Sequence, residues 1–253
     1  SFWSGGYKPM KYGILGDIHG NLTALDVALD YLQAQQIDVY LSMGDVVGYG
    51  AAPAECIQRL RDIGAIVVRG NHDAATAGQL DLRYFNQFAR EAVRWTQTVL
   101  GQEDLDWLAE LPYTVDLEDC SAAHGTYHKP ELFDYIKSTS DADPSLEVMK
   151  RPVCFVGHTH VPVALLRLTD DPHRTAFTAD DLIELGQVEK ALINVGSIGQ
   201  PRDDNPQAAC AVFDTAADCV SIKRLEYDIE IEAARIRRAG LPAVLGSRLF
   251  LGV

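Results

Sequence analysis

Histidine, aspartate and asparagine gather in five short clusters, Asp17-Ile18-His19, Gly44-Asp45, Gly70-Asn71-His72-Asp73, His124-Gly125 and Gly157-His158-Thr159-His160, which hold five of the chain's seven histidines. Imidazole nitrogen with carboxylate and amide oxygen, and no thiolate, is the donor set of a working divalent-metal site rather than a Cys-rich structural one. Manganese is favoured, with iron, zinc, cobalt or nickel as alternatives. Asp17, His19 and His160 are assigned to one ion, and Asn71, His124 and His158 to a second. Asp45, with two oxygens on one carboxylate, is assigned as the bridge between ions about 3.5 to 4 Å apart. Two such cations outweigh the two carboxylates, so the site attracts an anion and acidifies a bridging water near neutral pH. A phosphoryl group spanning both ions would be attacked in line by the resulting hydroxide.

Ligands so far apart in sequence need a scaffold that brings them together. Each cluster ends an apolar, β-rich run (Lys11 to Gly16, Val39 to Met43, Ile66 to Arg69, Ser121 to Ala123, Val153 to Val156), and strand ends are where α/β folds collect chemistry. Asn21 can cap a helix with Leu22, Leu25, Leu29 and Leu32 at helical spacing. A second unit repeats the order: Pro53 opens a helix, Ile57, Leu60 and Ile63 form its stripe, and Gly64 closes it. Leu82 to Leu111 is helical in period, with Phe85, Phe88, Ala92, Trp95 and Val99 expected on one buried face before Asp104 to Leu111 continues after Gly101. From Tyr113 onward strands dominate. Val163 to Leu168, Leu182 to Leu185, Ala191 to Val195, Ala209 to Phe213 and Cys219 to Leu225 are expected to form a second sheet packed on the first. A C-terminal helix carries Glu230 and Glu232 near its start and Arg235, Arg237 and Arg238 near its end, as the helix dipole favours.

The chain has 253 residues, 47% hydrophobic and 23% charged, which suits one globular domain. Residues 10–253 are taken as that domain. Ser1 to Pro9 is Gly-rich and aperiodic and reads as a disordered or vector-derived extension. No apolar stretch approaches the roughly 20 residues of a membrane span, and no secretory signal is seen. Five scattered cysteines without paired spacing read as buried thiols in a reducing setting, so the expected address is cytoplasmic. The formal charge of −14 disfavours long nucleic acid as a partner. A small phosphorylated molecule is still admitted, because the metals dominate the field within a Debye length of about 8 Å. No membrane partner is expected, and the oligomeric state is left open.

The five clusters, in this order and spacing, resemble the signature of the calcineurin-like metallophosphoesterase superfamily, over Met10 to about Leu225. The resemblance implies an α/β (α+β) fold, a four-layer αββα sandwich of two mixed β-sheets flanked by helices. It implies the ligand set assigned above, and makes His72 the acid that protonates the leaving oxygen or stabilises the transition state.

The departures bear on substrate. Protein serine/threonine phosphatases of this superfamily resemble Gly-Asp-x-x-Asp-Arg-Gly at the second cluster, where this chain reads Gly44-Asp45-Val46-Val47-Gly48-Tyr49-Gly50. Gly48 stands where a carboxylate would orient the catalytic imidazole, and Tyr49 where an arginine would clamp a phosphate dianion. The chain is more similar to small bacterial phosphodiesterases and diadenosine-tetraphosphatase-related proteins. The expected activity is therefore hydrolysis of small phosphodiesters of the cyclic nucleotide or dinucleoside polyphosphate type. The alternatives are a phosphomonoesterase or protein phosphatase, and a non-catalytic interaction scaffold. Arg202 is expected to supply part of the missing positive charge, against the reading of a turn arginine paired with Asp203 or Asp204. Tyr49 and Tyr127 are candidates for contact with a nucleobase or aromatic leaving group, against plain packing. Asn21 is a candidate phosphate contact, against simple capping. His128 reads as a loop histidine that could line the cleft, and His173 as surface.

Overall fold

The computed structural model describes residues 8–253. The expected N-terminal extension, residues 1–9, lies outside the described residues except for Lys8 and Pro9. Among the described residues, two mixed six-stranded sheets are flanked by eight α-helices. In the first sheet β1 (Lys11–Leu15) runs parallel to β2 (Val39–Ser42), which runs parallel to β3 (Ile66–Val67). Helices α1 (Leu22–Ala34) and α2 (Pro53–Asp62) make the crossovers. On its other side β1 pairs antiparallel with β11 (Ala208–Asp214), followed by β12 (Cys219–Leu225) and β9 (Leu182–Glu184). The second sheet is ordered β4 (Thr114–Asp116), β5 (Cys120–Ala123), β6 (Val153–Val156), β10 (Val188–Asn194), β7 (Val163–Leu168) and β8 (Asp171–Thr178).

The sheets face each other across a core that includes Tyr12, Ile14, Met43, Phe155, Ile193 and Phe213. Leu25 and Leu32 of α1 and Ile57 and Leu60 of α2 cover the outside of the first sheet over Leu15, Cys210 and Val212. Ala142 and Leu146 of α6 (Thr139–Val148) cover the second sheet over Cys154, Val156 and Leu192. Strands buried on both faces read as unbroken apolar runs. This is the expected four-layer αββα order.

Three expectations need correction. The second sheet is not made of the later strands alone: β11, β12 and β9 join the first sheet, while β5 and β6 belong to the second. A buried apolar run declares that it is a strand but not which neighbour it pairs with. Leu82 to Leu111 divides at Gly101 as expected, into α4 (Gln87–Val99) and α5 (Gln102–Glu110), but its start is a separate short 3-10 turn (Leu82–Tyr84). The inward face of α4 is Ala89, Ala92, Val93 and Thr96, whereas Phe88 and Val99 are exposed. Phe85, Ala92 and Trp95 pack inward as expected, and of the five expected residues Phe88 and Val99 turn outward. Helix α6, which carries Pro144 inside it, and the mostly exposed edge strand β8 give no clear apolar period and were not expected.

Other signals hold. Asn21 caps α1, Gly64 ends α2 at φ +63° as a left-handed C-terminal residue, and α7 (Ile229–Arg238) has its acids first and arginines last. All five cysteines are free. No helix among the described residues is long and apolar enough to cross a membrane.

Candidate metal centre

Strands β1, β2 and β3 run parallel in the first sheet and β5 and β6 run parallel in the second, and the turns that follow these five strands deliver the clustered residues. Asp17, His19, Asp45, His72, His124, His158 and His160 are all buried. They form three overlapping groups, Asp17/His19/His160, His19/Asp45/His72 and Asp45/His124/His158, and within each the potential ligand atoms lie within 4.8 Å of one another. Asn71, at the start of α3 (Asn71–Thr76), places its Oδ1 3.0 Å from His124 Nε2. Every residue assigned to metal is thus gathered at one place.

The arrangement fits divalent cations. His19, His124 and His160 each donate Nδ1–H to a backbone carbonyl, of Val47 at 3.1 Å, Met43 at 2.7 Å and Gln200 at 2.6 Å. A carbonyl only accepts, so these bonds fix the tautomer and turn each Nε2 lone pair inward. The Nε2 atoms of His19 and His160 then face each other at 3.2 Å, and His124 Nε2 lies 3.0 Å from His158 Nδ1. Lone pairs brought so close require positive charge between them. Asp45 joins the two groups: its Oδ2 lies 3.6 Å from His19 Nε2 and 3.3 Å from His124 Nε2, while Oδ1 accepts from the His72 backbone N–H at 2.8 Å. Asp17 is held by the His158 backbone N–H, 3.1 Å from either carboxylate oxygen, and faces His160 at 3.3 Å.

With protons as the only cations, the cluster shares charge unevenly. Burial opposes ionisation of Asp45, but His124, His72 and His19 outweigh it and hold the carboxyl well below its usual range. Burial likewise opposes the charged ring of His124, yet Asp45 and Asp17 prevail and raise its pKa to about 9. Burial lowers His19, His158 and His160. His124 Nε2 therefore carries the proton where Asn71 Oδ1, His158 Nδ1 and Asp45 Oδ2 converge, which is the place assigned to the second ion.

His72 sits apart from the carbonyl-anchored rings. It packs on Tyr49, His19 and Phe85 with centroids at 4.5, 4.8 and 5.0 Å. Its Nδ1 has no hydrogen-bond partner. Gly48, at φ +89°, abuts this nitrogen: a Cβ there would lie 2.3 Å from Nδ1. No room exists for the carboxylate that protein phosphatases have at this point of their motif. Burial lowers the His72 pKa to about 4, against the pull of Asp45, so the ring is neutral near pH 7.

The remaining candidates divide. Tyr49, buried at φ +60°, packs on His19 and His72. Arg202 is close to it, 5.8 Å over its ring, and donates to Gln200 Oε1 at 2.8 Å. The turn-arginine alternative is corrected, because Asp203 is paired with Arg224 instead and Arg202 makes no ion pair with Asp204 among the described residues. Asn21 is not free to bind substrate: Oδ1 accepts from Ala24 N–H at 3.0 Å and Nδ2 donates to the Gly199 carbonyl at 3.0 Å. Tyr127 donates to Asp116 at 2.7 Å and packs with Ala142 and Leu146, so packing and not base contact is its role. His128 lines a separate hollow with Asp134 and Ser140, and His173 is exposed on β8.

Sequence reasoning gave Asp73 no role. Its carboxylate accepts backbone N–H bonds from Val46 at 2.9 Å, Val47 at 3.3 Å and Gly70 at 3.0 Å, tying the Asp45 turn to the Asn71 turn. Its place inside the third cluster was the available signal. Tyr135 was missed because nothing in the sequence shows that its ring stacks on His158, at 3.9 Å and 18°.

Paired His/Asp groups at the strand ends of an αββα sandwich define a metal-binding hydrolase of the phosphoesterase class. The chain belongs to the calcineurin-like phosphoesterase superfamily, whose domain model matches residues 10–218. It is similar to the uncharacterized protein MJ0912 of Methanocaldococcus jannaschii, 34% identical over 244 residues, 94% of this chain and 97% of the relative. A metallophosphoesterase from Sphaerobacter thermophilus superposes with TM-score 0.85 at 37% identity, covering 97% of this chain and 100% of the other. The hypothetical protein PH1004 of Pyrococcus horikoshii OT3 shares the fold, with TM-score 0.78 at 21% identity over 96% of this chain and 98% of that one.

Proposed function

We propose that this protein is a dinuclear phosphodiesterase, most active with manganese, that hydrolyses small organic phosphodiesters of the cyclic nucleotide or dinucleoside polyphosphate type. The observation that carries the reading is Asp45 Oδ2, poised between His19 of one group and His124 of the other. Asp17, His19 and His160 would hold one cation, Asn71, His124 and His158 the other, and Asp45 both. When bound, the cations supply Lewis acidity, which acidifies water and draws charge from phosphoryl oxygens.

The chain's own groups supply the rest. The Nδ1 bonds to Val47, Met43 and Gln200 hold the imidazoles in register, so little reorganisation accompanies reaction. His72, neutral at pH 7, acts as a hydrogen-bond donor to charge developing on the leaving oxygen rather than as a charged acid. Arg202 is the cation that acts on His19, His72 and His160 of the centre, with Tyr49 standing where a second clamp would be and the nearby Arg248 guanidinium donating to the Val253 carbonyl. One positive group suits the monoanion of a diester better than the dianion of a monoester. The free thiols favour the cytoplasm as its compartment.

Turnover of an aryl phosphodiester and an aryl phosphomonoester should be compared with manganese added. Faster diester hydrolysis is expected. Faster monoester hydrolysis would overturn the preference, and no turnover of either with any first-row metal would favour a scaffold.

A further inference from the structure

Beside the Asn71–His158 end of the centre lies a cleft of about 340 Å³, walled by Tyr84, Phe85, Phe133 and Tyr135. That volume is at the small end of the range of roughly 300–1,000 Å³ for small-molecule sites, room for one ring system with a sugar. Large apolar groups are left open here: Tyr84 is 74% exposed and Leu132 56%. Tyr84 sits at the end of a 3-10 turn, and among the described residues its ring stacks on no other ring and has the neighbouring Arg83 guanidinium at 5.8 Å.

The facing wall packs on the centre. Tyr135 is held between His158, stacked at 3.9 Å, and the Lys137 ammonium at 4.8 Å. Phe133 adopts a left-handed backbone at φ +52° with its edge toward His124. Both lie in residues 124–138, which hold only the 3-10 turn Pro130–Leu132 between β5 and α6. A connection of that length without strand or helix is a recurrent place for binding loops, and so is a strained non-glycine residue.

Polarity points the same way. The Tyr135 hydroxyl and the Glu131 carboxylate make no hydrogen bond or ion pair among the described residues, so beside Asn71 and His158 of the centre the cleft offers a free hydroxyl and a free carboxylate on largely apolar walls. Glu131 repels a second phosphate from this end, while Arg202 attracts one at the Tyr49 end. A larger groove of about 580 Å³, near Val163 and Phe177, has Lys137 as its one charged group and no ligand residue in its lining.

We propose that the cleft is the subsite for a nucleoside moiety of the substrate, with Tyr84 as the stacking platform for the base and Glu131 accepting from a sugar hydroxyl or base amine. This rests on the phosphoesterase reading and adds which part of the ester lies where. Base–aromatic stacking is sequence-tolerant, so purine and pyrimidine nucleosides should both be taken.

Calorimetry on the manganese-loaded protein with adenosine monophosphate and ribose monophosphate isolates the base. The nucleotide should bind about tenfold more tightly. Tyr84→Ala should bring the ratio near unity, and the exposure of Tyr84 makes misfolding no confounder. Phe177→Ala, in the other groove, should leave the ratio unchanged. Equal affinities in the wild type, or a ratio that survives Tyr84→Ala, would overturn the assignment. If the aryl diester is hydrolysed while the two ligands bind equally, the nucleoside cleft alone fails; if nothing is hydrolysed and neither ligand binds, the phosphoesterase reading fails with it.

Discussion

Replacing Gly48 with alanine tests the role given to His72 without touching a ligand. A Cβ on Gly48 would sit 2.3 Å from His72 Nδ1, 2.9 Å from Cγ and 3.2 Å from Cβ. The first of these is about 1 Å short of ordinary contact, and the ring has nowhere to retreat. Tyr49, His19 and Phe85 surround it at centroid distances of 4.5, 4.8 and 5.0 Å. At φ +89° the alanine also incurs a left-handed backbone penalty of about 1–2 kcal/mol. Overpacking adds about 1–3 kcal/mol, for a total destabilisation of roughly 2–5 kcal/mol. A forced shift of about 1 Å in a positioned catalytic group lowers turnover on the order of a hundredfold.

The control is Gly64→Ala, also at positive φ but with nothing within 4 Å of its Cβ. It should show the backbone penalty alone, about 1 kcal/mol, with unchanged kcat. Thermal melting, bound metal and kcat on an aryl phosphodiester would be measured for both variants. Gly48→Ala should retain its metals and lose kcat. Wild-type kcat and melting in Gly48→Ala would show that His72 is neither confined nor required where it lies.

Asp45→Asn should lose bound metal and drop kcat/KM about a thousandfold, whereas His72→Ala should keep both metals and slow about a hundredfold; metal loss in the second variant would make His72 a ligand. Arg202→Ala should raise KM about tenfold with kcat nearly constant, the loss of one charge-assisted hydrogen bond, and unchanged kinetics would remove it from the site. Because His124 is raised to about 9, manganese must displace its proton below that pH, so affinity by calorimetry should rise about tenfold per unit from about pH 7 to 9. With metal chelated the sign reverses: the protonated ring contributes stability below the ordinary histidine pKa of about 6.5 that is lost as pH climbs to 9. A chelated protein that melts no lower at pH 9 than at pH 7 would refute this.

The site was more legible in the sequence than the sheets around it. Metal donors are few in kind, so Asp17, His19, Asp45, His124, His158 and His160 stood out on chemistry alone, and strand-end placement followed from the runs before them. Strand partners are a different matter. β11 lies beside β1, nearly 200 residues away, and neither run contains anything that specifies the other. Substrate contacts were the least legible: Asn21 has the right functional group but its amide is used by the fold, while Tyr135 matters only because the chain folds it over His158.

The backbone shows what the sheets contribute to the chemistry. Eleven described non-glycine residues have positive φ, and five of them are proposed ligands: Asp17, His19, Asp45, His158 and His160, at +47°, +50°, +49°, +71° and +62°. Each such residue costs about 1 kcal/mol or more, and together roughly 5 kcal/mol, comparable with the whole net stability of many domains. The protein interior supports these turns: the strands entering them end in fully buried Leu15 and Ser42 and nearly buried Val156, and backbone bonds such as His19 N–H to the Asp45 carbonyl at 2.8 Å tie turn to turn. An extended strand would set the two end residues of Asp-x-His or His-x-His on one face but about 7 Å apart, whereas the left-handed turns bring the ligand atoms of Asp17 and His19 within 4.8 Å of each other and of His160. The strain is thus the geometric means by which Asp17 and His19, beyond the end of β1, meet His160, beyond the end of β6 in the facing sheet, while His158 turns to the other group, and the hydrophobic core is what holds them there.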